Sequence, residues 1–540
     1  MDKNTFLAIV LSLVVIFTWQ AFFAKKPVPQ QAASVKQEAT TAVDKQSGKE
    51  TVAEPVKTVQ PQTRTILSKP VTGTEKDIPV ETPLYSAIFT SRGGALKSFK
   101  LKDYRKSLAS DSEPIEMVNV LTDAPYPLDV VFPESNVDIR PDSLFTADMN
   151  SIDLTKNQDS RRLTFTLLYP NSIKVEKTIT FYPEKYAFDL EVKVYNLSDS
   201  SINENALLTW DQFVDPKAAD ESYTHNGPIS FIAKDIERYE VNKMESMKVV
   251  GPNVAWGGFE SKYFIAAMIP QNPTLTSISL SKDARNIVSV SLKGPQNIIP
   301  PRQAGVFGYT LYLGPKDHDI LKAQGAGLEN AIDFGDWMKW LAMPLLVIMK
   351  FLYKYVQNYG IAIIIMTLLI KIVFWPLGNK SYKSMKEMQK LQPKIAELRE
   401  RFKGDKTRLS QETMALYKTH KVNPMGGCLP MVIQIPVFFG LYKALMYAIE
   451  LRHAPFYGWI QDLSAKDPYY ITPIIMGATM FIQQKMSPPA GDPMQQKVML
   501  LMPVIFTFMF LNFPSGLVIY WLFQNVLSIG QQYYINKKPS

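Results

Sequence analysis

One lysine stands inside an apolar run. Lys371 lies within Gly360–Leu377, 18 residues that are apolar except for Lys371 and Thr367. At 1.5 Å of rise per residue the run makes about 27 Å of helix, close to the hydrocarbon thickness of a bilayer. An ammonium at that depth costs roughly 2.5–3.5 kcal/mol on insertion scales. The other long apolar stretches contain no Asp or Glu, so Lys371 has no carboxylate partner at its own depth. Thr367 precedes it by four residues and shares its helix face. Gln434 sits inside a later apolar stretch, and Gln524 with Asn525 in the last one. Lys371, Thr367, Gln434, Gln524 and Asn525 therefore read as the lining of one hydrophilic groove that opens inward. Such a groove receives negative charge or unpaired carbonyls from a transient guest. The competing reading of Lys371 is snorkelling, since it lies about 9 Å of helix from Leu377. Gln434 alone also reads as an ordinary interhelical hydrogen bond. The missing carboxylates argue against a proton relay or a cation-coupled carrier.

The elements that must hold these residues divide the chain in two. With 540 residues it exceeds a single core. Residues 1–335 read as soluble apart from one N-terminal apolar run, and 336–540 as membrane. The single Cys428 excludes an internal disulfide, and four scattered histidines give no metal-ligand spacing. The net charge of +9 informs only through its location.

Phe6–Ala24 is a 19-residue apolar run behind Lys3, longer than a signal-peptide core, and is expected to be an uncleaved anchor spanning 1–24. Residues 25–75, rich in Lys, Gln, Thr and Pro with almost no aromatics, read as a disordered linker. From 76 to 335, runs such as Leu163-Thr-Phe-Thr-Leu, Ile173-Lys-Val-Glu-Lys-Thr-Ile and Phe188-Asp-Leu-Glu-Val-Lys-Val alternate at the strand period between turn signals. They predict a large extracytoplasmic antiparallel β-sandwich. Arg92-Gly-Gly-Ala reads as a turn or bulge rather than a ligand loop. No phosphate loop, nucleophile elbow or metal motif occurs here.

Residues 336–356 carry apolar positions at Trp337, Leu341, Leu345, Ile348, Leu352 and Tyr355, with lysines on another face, and predict a helix lying in the interface. Residues 357–377 form the second span. The hairpin 378–426 holds twelve Lys and Arg against five Asp and Glu, which puts it on the cytoplasmic side. Two helices are expected in it, the second capped by Thr407. Its basic surface suits nucleic acid, ribosome contact being one form, and equally suits anionic lipid. Residues 427–535 contain four further stretches, the last two of about 14 residues each around Asn512-Phe-Pro-Ser-Gly516, read as short spans or a re-entrant hairpin. The tail 536–540 returns to the cytoplasm. The fold class is an α-helical polytopic membrane protein of six spans, both termini cytoplasmic, carrying the large β-sandwich outside.

Several motifs are recognisable. Leu391-Gln-Pro-Lys-Ile, Ala415-Leu-Tyr-Lys, Lys421-Val-Asn-Pro-Met-Gly-Gly-Cys-Leu-Pro-Met-Val-Ile-Gln-Ile-Pro-Val-Phe, Asp467-Pro-Tyr-Tyr-Ile, Asp492-Pro-Met-Gln-Gln-Lys and Phe513-Pro-Ser-Gly-Leu closely resemble the YidC/Oxa/Alb family of membrane protein insertases, in its Gram-negative form. The match is dense over 335–535. Across 1–335 it rests on the layout of anchor, linker and large β domain. The resemblance implies a five-helix insertase core in the bacterial inner membrane, with a groove open to cytoplasm and lipid and closed to the periplasm. It implies nascent membrane proteins as guests and work alone or beside the Sec translocon. The family's groove cation is usually Arg, and Lys371 keeps the charge without the bidentate fork. The matching substrate-contact positions are Gln434, Ile435 and Phe438, then Met509 and Phe513, then Tyr520 and Trp521, the last standing where the family carries Tyr. No nucleotide, metal or other cofactor is expected, and no enzymatic activity. Two rival classes are a polytopic secondary transporter and a membrane-anchored periplasmic carbohydrate-active enzyme. Neither inverted repeats nor membrane carboxylates speak for the first.

Overall fold

A computed structural model describes residues 74–121, 124–132, 139, 143–156, 159–204, 206–215, 224–244, 246–335, 337–420, 422, 429–487 and 493–537. All lie in one compact unit, Gln62–Ser540. The anchor expected at 1–24, nearly all of the linker, and Cys428 fall outside the described residues.

The β-rich part runs from Asp77 to Pro315 and builds sheets of nine, five, five and two strands. The three runs read from the sequence are consecutive neighbours in the nine-stranded sheet: Arg161–Tyr169, Ile173–Phe181 and Ala187–Asn196. They pair antiparallel in the register Leu163↔Ile179↔Leu190. One face of this meander is buried through Leu163, Phe165, Leu167, Val175, Ile179 and Phe181. Phe181 and Phe188 meet Phe89 of a five-stranded sheet at 5.4 and 6.1 Å, so rings close the space between the two sheets. Among the described residues strand pairing is antiparallel except where Asp77–Glu81 lies parallel to Ile152–Asp153. Arg92-Gly-Gly-Ala is a turn: Gly93 and Gly94 take φ of 69° and 57°, conformations that favour glycine. Its Gly93 carbonyl and that of Leu128 accept from the fully buried Lys177 ammonium, each at 2.8 Å.

The helical part comprises α1 (His318–Gln324), α2 (Lys339–Val356), α3 (Tyr359–Val373), α4 (Trp375–Lys390), α5 (Gln392–Arg401), α6 (Lys406–Thr419), α7 (Leu429–Tyr447), α8 (Ile471–Met486), α9 (Pro493–Phe510) and α10 (Ser515–Lys537). Helix α10 packs on α3, α8 and the hairpin stem α4, while α2 packs on α3 and α7.

Four readings change. The second span, expected as one helix over 357–377, breaks at Phe374 and bends by 66° between α3 and α4. Pro376 explains the break, because it lacks the N–H a continuing helix needs and its ring crowds the preceding turn. Among the described residues no single helix is long and apolar enough to cross a membrane; this bent pair passes by length and composition. The cap of α6 is Asp405, whose carboxylate accepts from Arg408 N at 2.9 Å, not Thr407. The last two arms are longer than 14 residues: α9 has 18 and α10 has 23, joined by a short turn at 511–514. On α2 the buried face is Ala342, Leu345, Leu346 and Met349, whereas Trp340, Phe351 and Tyr355 stay exposed.

Candidate functional site

Helix α10 carries Tyr520, Gln524, Ser528 and Gln531 at spacings of four, four and three, which align them in one stripe. Each finds a partner on another helix. Gln434 Nε2 of α7 donates to the Tyr520 hydroxyl at 2.6 Å, and Gln524 Nε2 donates to Gln434 Oε1 at 2.9 Å. Lys371 Nζ of α3 donates to Ser528 Oγ at 2.8 Å. Ser528 gives its own proton to the Gln524 carbonyl at 2.8 Å, which leaves its lone pairs to the ammonium. Tyr382 on α4 is buried and clusters with Ile535 of α10. Gln531 Nε2 donates to the Trp375 carbonyl at 3.2 Å and to Asn379 Oδ1 at 3.0 Å. On the adjoining face Asn525 donates to Thr479 Oγ1 at 3.3 Å and Gln532 to the Met486 carbonyl at 2.9 Å.

Lys371 is 8% exposed, and among the described residues it pairs with no carboxylate. Its ammonium crosses to α10 rather than running along α3. Thr367, fully buried, turns its hydroxyl back to the Ile363 carbonyl at 2.7 Å and meets none of the other polar groups. The remaining four expected groove residues join two hydrogen-bonded sets. Gln434, Gln524 and, through Ser528, Lys371 form one; Asn525 belongs to the other, with α8. Within the stripe, Gln524 Oε1 and Gln531 Oε1 are buried without a hydrogen-bond partner in the protein, as is the Trp521 indole Nε1 beside it. An unpaired buried polar atom costs about 1–3 kcal/mol, so these atoms are places where water or a polar guest gains most.

Above the stripe the lining turns aromatic. Trp521 meets Phe438 at 4.8 Å, Phe510 at 5.5 Å and Phe506 at 6.3 Å, and Phe513 meets Phe510 at 5.0 Å. Among the expected contact residues, Ile435 is 47% exposed, while Phe438, Met509, Phe513 and Trp521 are half-buried. Tyr520 is fully enclosed, with its hydroxyl held by Gln434.

Sequence reasoning missed Ser528, Gln531, Tyr382 and Asn379. The period of four from Tyr520 through Gln524 to Ser528 was the available signal. It also missed a junction to the β-rich part. Lys350 of α2 reaches Asp319 at 2.6 Å, Glu450 at 3.0 Å and Asp317 at 3.3 Å. Burial opposes the charged form of Lys350, but the Glu450, Asp319 and Asp317 carboxylates outweigh it and hold its pKa above the usual lysine range. Burial pushes the Glu450 carboxyl above its ordinary value despite Lys350. Lys443 of α7 pairs with Asp333 at 3.3 Å, and Arg452 donates to the Arg105 carbonyl and stacks over Phe264. The described residues contain no cluster of His, Cys, Asp or Glu able to hold a metal ion.

Comparison with known proteins adds to this geometry. Residues 77–348 match the family described as the YidC periplasmic domain, and residues 351–540 the family described as the 60Kd inner membrane protein. A protein of Syntrophus aciditrophicus (strain SB) named membrane protein insertase YidC is 65% identical, with all of this chain and all of the relative covered. A protein of the same name from Geobacter metallireducens is 42% identical over 99% of this chain and 98% of its own length. A solved structure titled an active YidC insertase with the first transmembrane domain resolved is 19% identical, with a TM-score of 0.38 over 86% of this chain and 94% of that one.

Proposed function

The chain belongs to the YidC family of membrane protein insertases, and on that premise we propose that Lys371 and the polar stripe of α10 receive the hydrophilic tail of each guest. The protein inserts membrane proteins into the bilayer. Its periplasmic part is rich in β-sheet and its C-terminal part is helical. The observation that carries the groove reading is the placement of Lys371: nearly buried, turned toward α10, held by a hydroxyl and free of any carboxylate among the described residues.

The mechanism is physical rather than covalent. A polar segment entering hydrocarbon loses its water, which costs several kcal/mol per unpaired group. Gln434, Gln524, Ser528 and Lys371 offer donors and acceptors along one face, and the buried Gln524 Oε1 beside them lacks a hydrogen-bond partner in the protein. An acidic side chain gains more from the Lys371 ammonium in this environment than from bulk counterions. The apolar segment of the guest meanwhile slides past Phe438, Met509, Phe513 and Trp521. Its burial in lipid, at about 0.8 kcal/mol per CH₂, drives release. The chain's own residues need no nucleotide or metal for these steps.

The finer architecture follows the same reading: an anchor and five further spans in the bacterial inner membrane, both termini cytoplasmic, and a periplasmic β-sandwich made by the facing sheets. The bent α3–α4 pair supports a span that turns into the interface. The basic hairpin α4–α6 faces the cytoplasm, where anionic lipid or a ribosome carrying the guest meets its cations, and the Sec translocon is a companion for larger guests.

The test replaces Lys371 in cells carrying each variant as the only copy, with protease protection of single-span guests as the readout. Lys371→Arg keeps insertion. Lys371→Ala impairs guests with acidic extracytoplasmic tails more than those with neutral tails, and Lys371→Glu is worse for the acidic class. Equal protection across the set returns Lys371 to snorkelling.

A further inference from the structure

The segment joining the helix of Lys371 to the basic hairpin is the 66° bend between α3 and α4. Helix α10 grips that bend from the side. Gln531 is 2% exposed, and its Nε2 donates both to the Trp375 carbonyl and to the Asn379 side chain, the first turn of the hairpin stem. Gly378 makes room for this: a Cβ there would stand 2.8 Å from Gln531 Nε2. Farther along the stem, Tyr382 and Met385 bury against Ile535 of α10. Ser528, the residue that accepts from Lys371, lies three residues before Gln531 on the same helix. One turn of α10 therefore holds two things at once, the Lys371 ammonium and the root of the hairpin.

We propose that Gln531 is a positioning residue that couples the hairpin to Lys371: by fixing the stem helix α4 at its bend, it keeps Ser528 aligned as the acceptor for the ammonium. A partner that loads the hairpin acts on α4, and through the Gln531 contacts that load reaches Ser528 and the position in which Lys371 is presented to the guest. The two hydrogen bonds of Gln531 share one amide, so a small rotation of the stem breaks both together. The function assigned to this coupling rests on the groove reading of Lys371.

The test uses the full chain in a Cys428→Ser background, with Gln531→Leu and Gly378→Ala made separately. The second variant displaces the Gln531 amide without altering it, and serves if the first is poorly folded. Spin labels at Gly404 of the hairpin and Tyr534 of α10 report the stem angle. Both variants are expected to broaden the distance distribution. Insertion of acidic-tailed guests should fall about fivefold, the scale of one lost buried hydrogen bond, while neutral-tailed guests are spared. On a Lys371→Ala background neither variant should cause any further loss, as for a residue that acts through another. If Lys371→Ala is selective for acidic tails but both variants keep the wild-type distances, or lower both guest classes equally, the coupling is refuted and the groove reading stands. If Lys371→Ala is itself unselective, the groove reading falls and takes this function of Gln531 with it.

Discussion

Lys371 and Ser528 are 157 residues apart in the chain and 2.8 Å apart in space, the ammonium of one donating to the hydroxyl of the other. Because Ser528 spends its proton on the Gln524 carbonyl, it acts toward Lys371 only as an acceptor. Hydrogen bonds to charged groups contribute about 1.5–3 kcal/mol, so this one decides where the ammonium rests. Ser528→Ala should therefore lower protease protection of acidic-tailed guests, by roughly tenfold at the low end of that range. Ser528→Thr retains the oxygen and should restore protection. A threonine variant no better than alanine would mean the hydroxyl plays no part.

Helices α8 and α9 touch through a glycine. A Cβ on Gly477 would stand 1.9 Å from Thr507 Oγ1, closer than any side chain tolerates. Gly477→Ala should destabilise the detergent-solubilised protein by about 1–3 kcal/mol, the usual range for overpacking. Thr507→Ala removes the clashing oxygen, so the double variant should unfold at a higher temperature than Gly477→Ala alone. Thermal denaturation of the two side by side is the check, and an unrelieved double variant would contradict the contact.

Two carboxyls that share Lys350 should respond to pH with opposite signs. Burial raises the Glu450 pKa above its ordinary 4.5, so the folded state binds that proton more tightly than the unfolded state. Its stabilising contribution is present at acid pH and is lost as pH rises through the raised pKa. The Lys350 hydrogen bond lowers the Asp319 pKa below its ordinary 3.8, so its contribution is present at neutral pH and is lost as pH falls through the lowered pKa. Against wild type, Glu450→Gln should gain thermal stability as pH rises from about 4.5 toward 7. Asp319→Asn should be the less stable protein at pH 7 and approach wild type near pH 3. Parallel unfolding curves for the two variants would contradict the assignment.

The proposed topology has a direct chemical test. With Cys428→Ser as background, single cysteines at Gly404 in the hairpin and Ser464 in the α7–α8 connection report opposite sides of the membrane. An impermeant thiol reagent added to intact spheroplasts should label position 464 and spare 404. The inverse pattern would turn the whole arrangement over.

The local chemistry of this chain was legible in one dimension. Strand alternation located Arg161–Tyr169, Ile173–Phe181 and Ala187–Asn196, because a half-buried strand needs an apolar residue at every second position. Lys371 and Gln434 stood out because polar groups are costly in an apolar run. Family motifs were legible for the same reason that they are short and contiguous. What only the tertiary structure decided was direction and partnership. Whether Lys371 runs along its own helix or crosses to Ser528 depends on which face of α10 packs against α3, and no local period encodes that. The sequence reads as one span straight through Pro376, whereas the chain breaks at Phe374 and bends by 66°, and Gln531 of a distant helix donates to the Trp375 carbonyl at that bend. Thr367 shares a face with Lys371 yet satisfies itself on Ile363, because a buried hydroxyl takes the nearest carbonyl, one turn back on its own helix. The junction at Lys350 gathers Asp317 and Asp319 from the start of α1 with Glu450, 133 residues beyond Asp317, and electrostatic attraction across such separations exists only once the chain has folded.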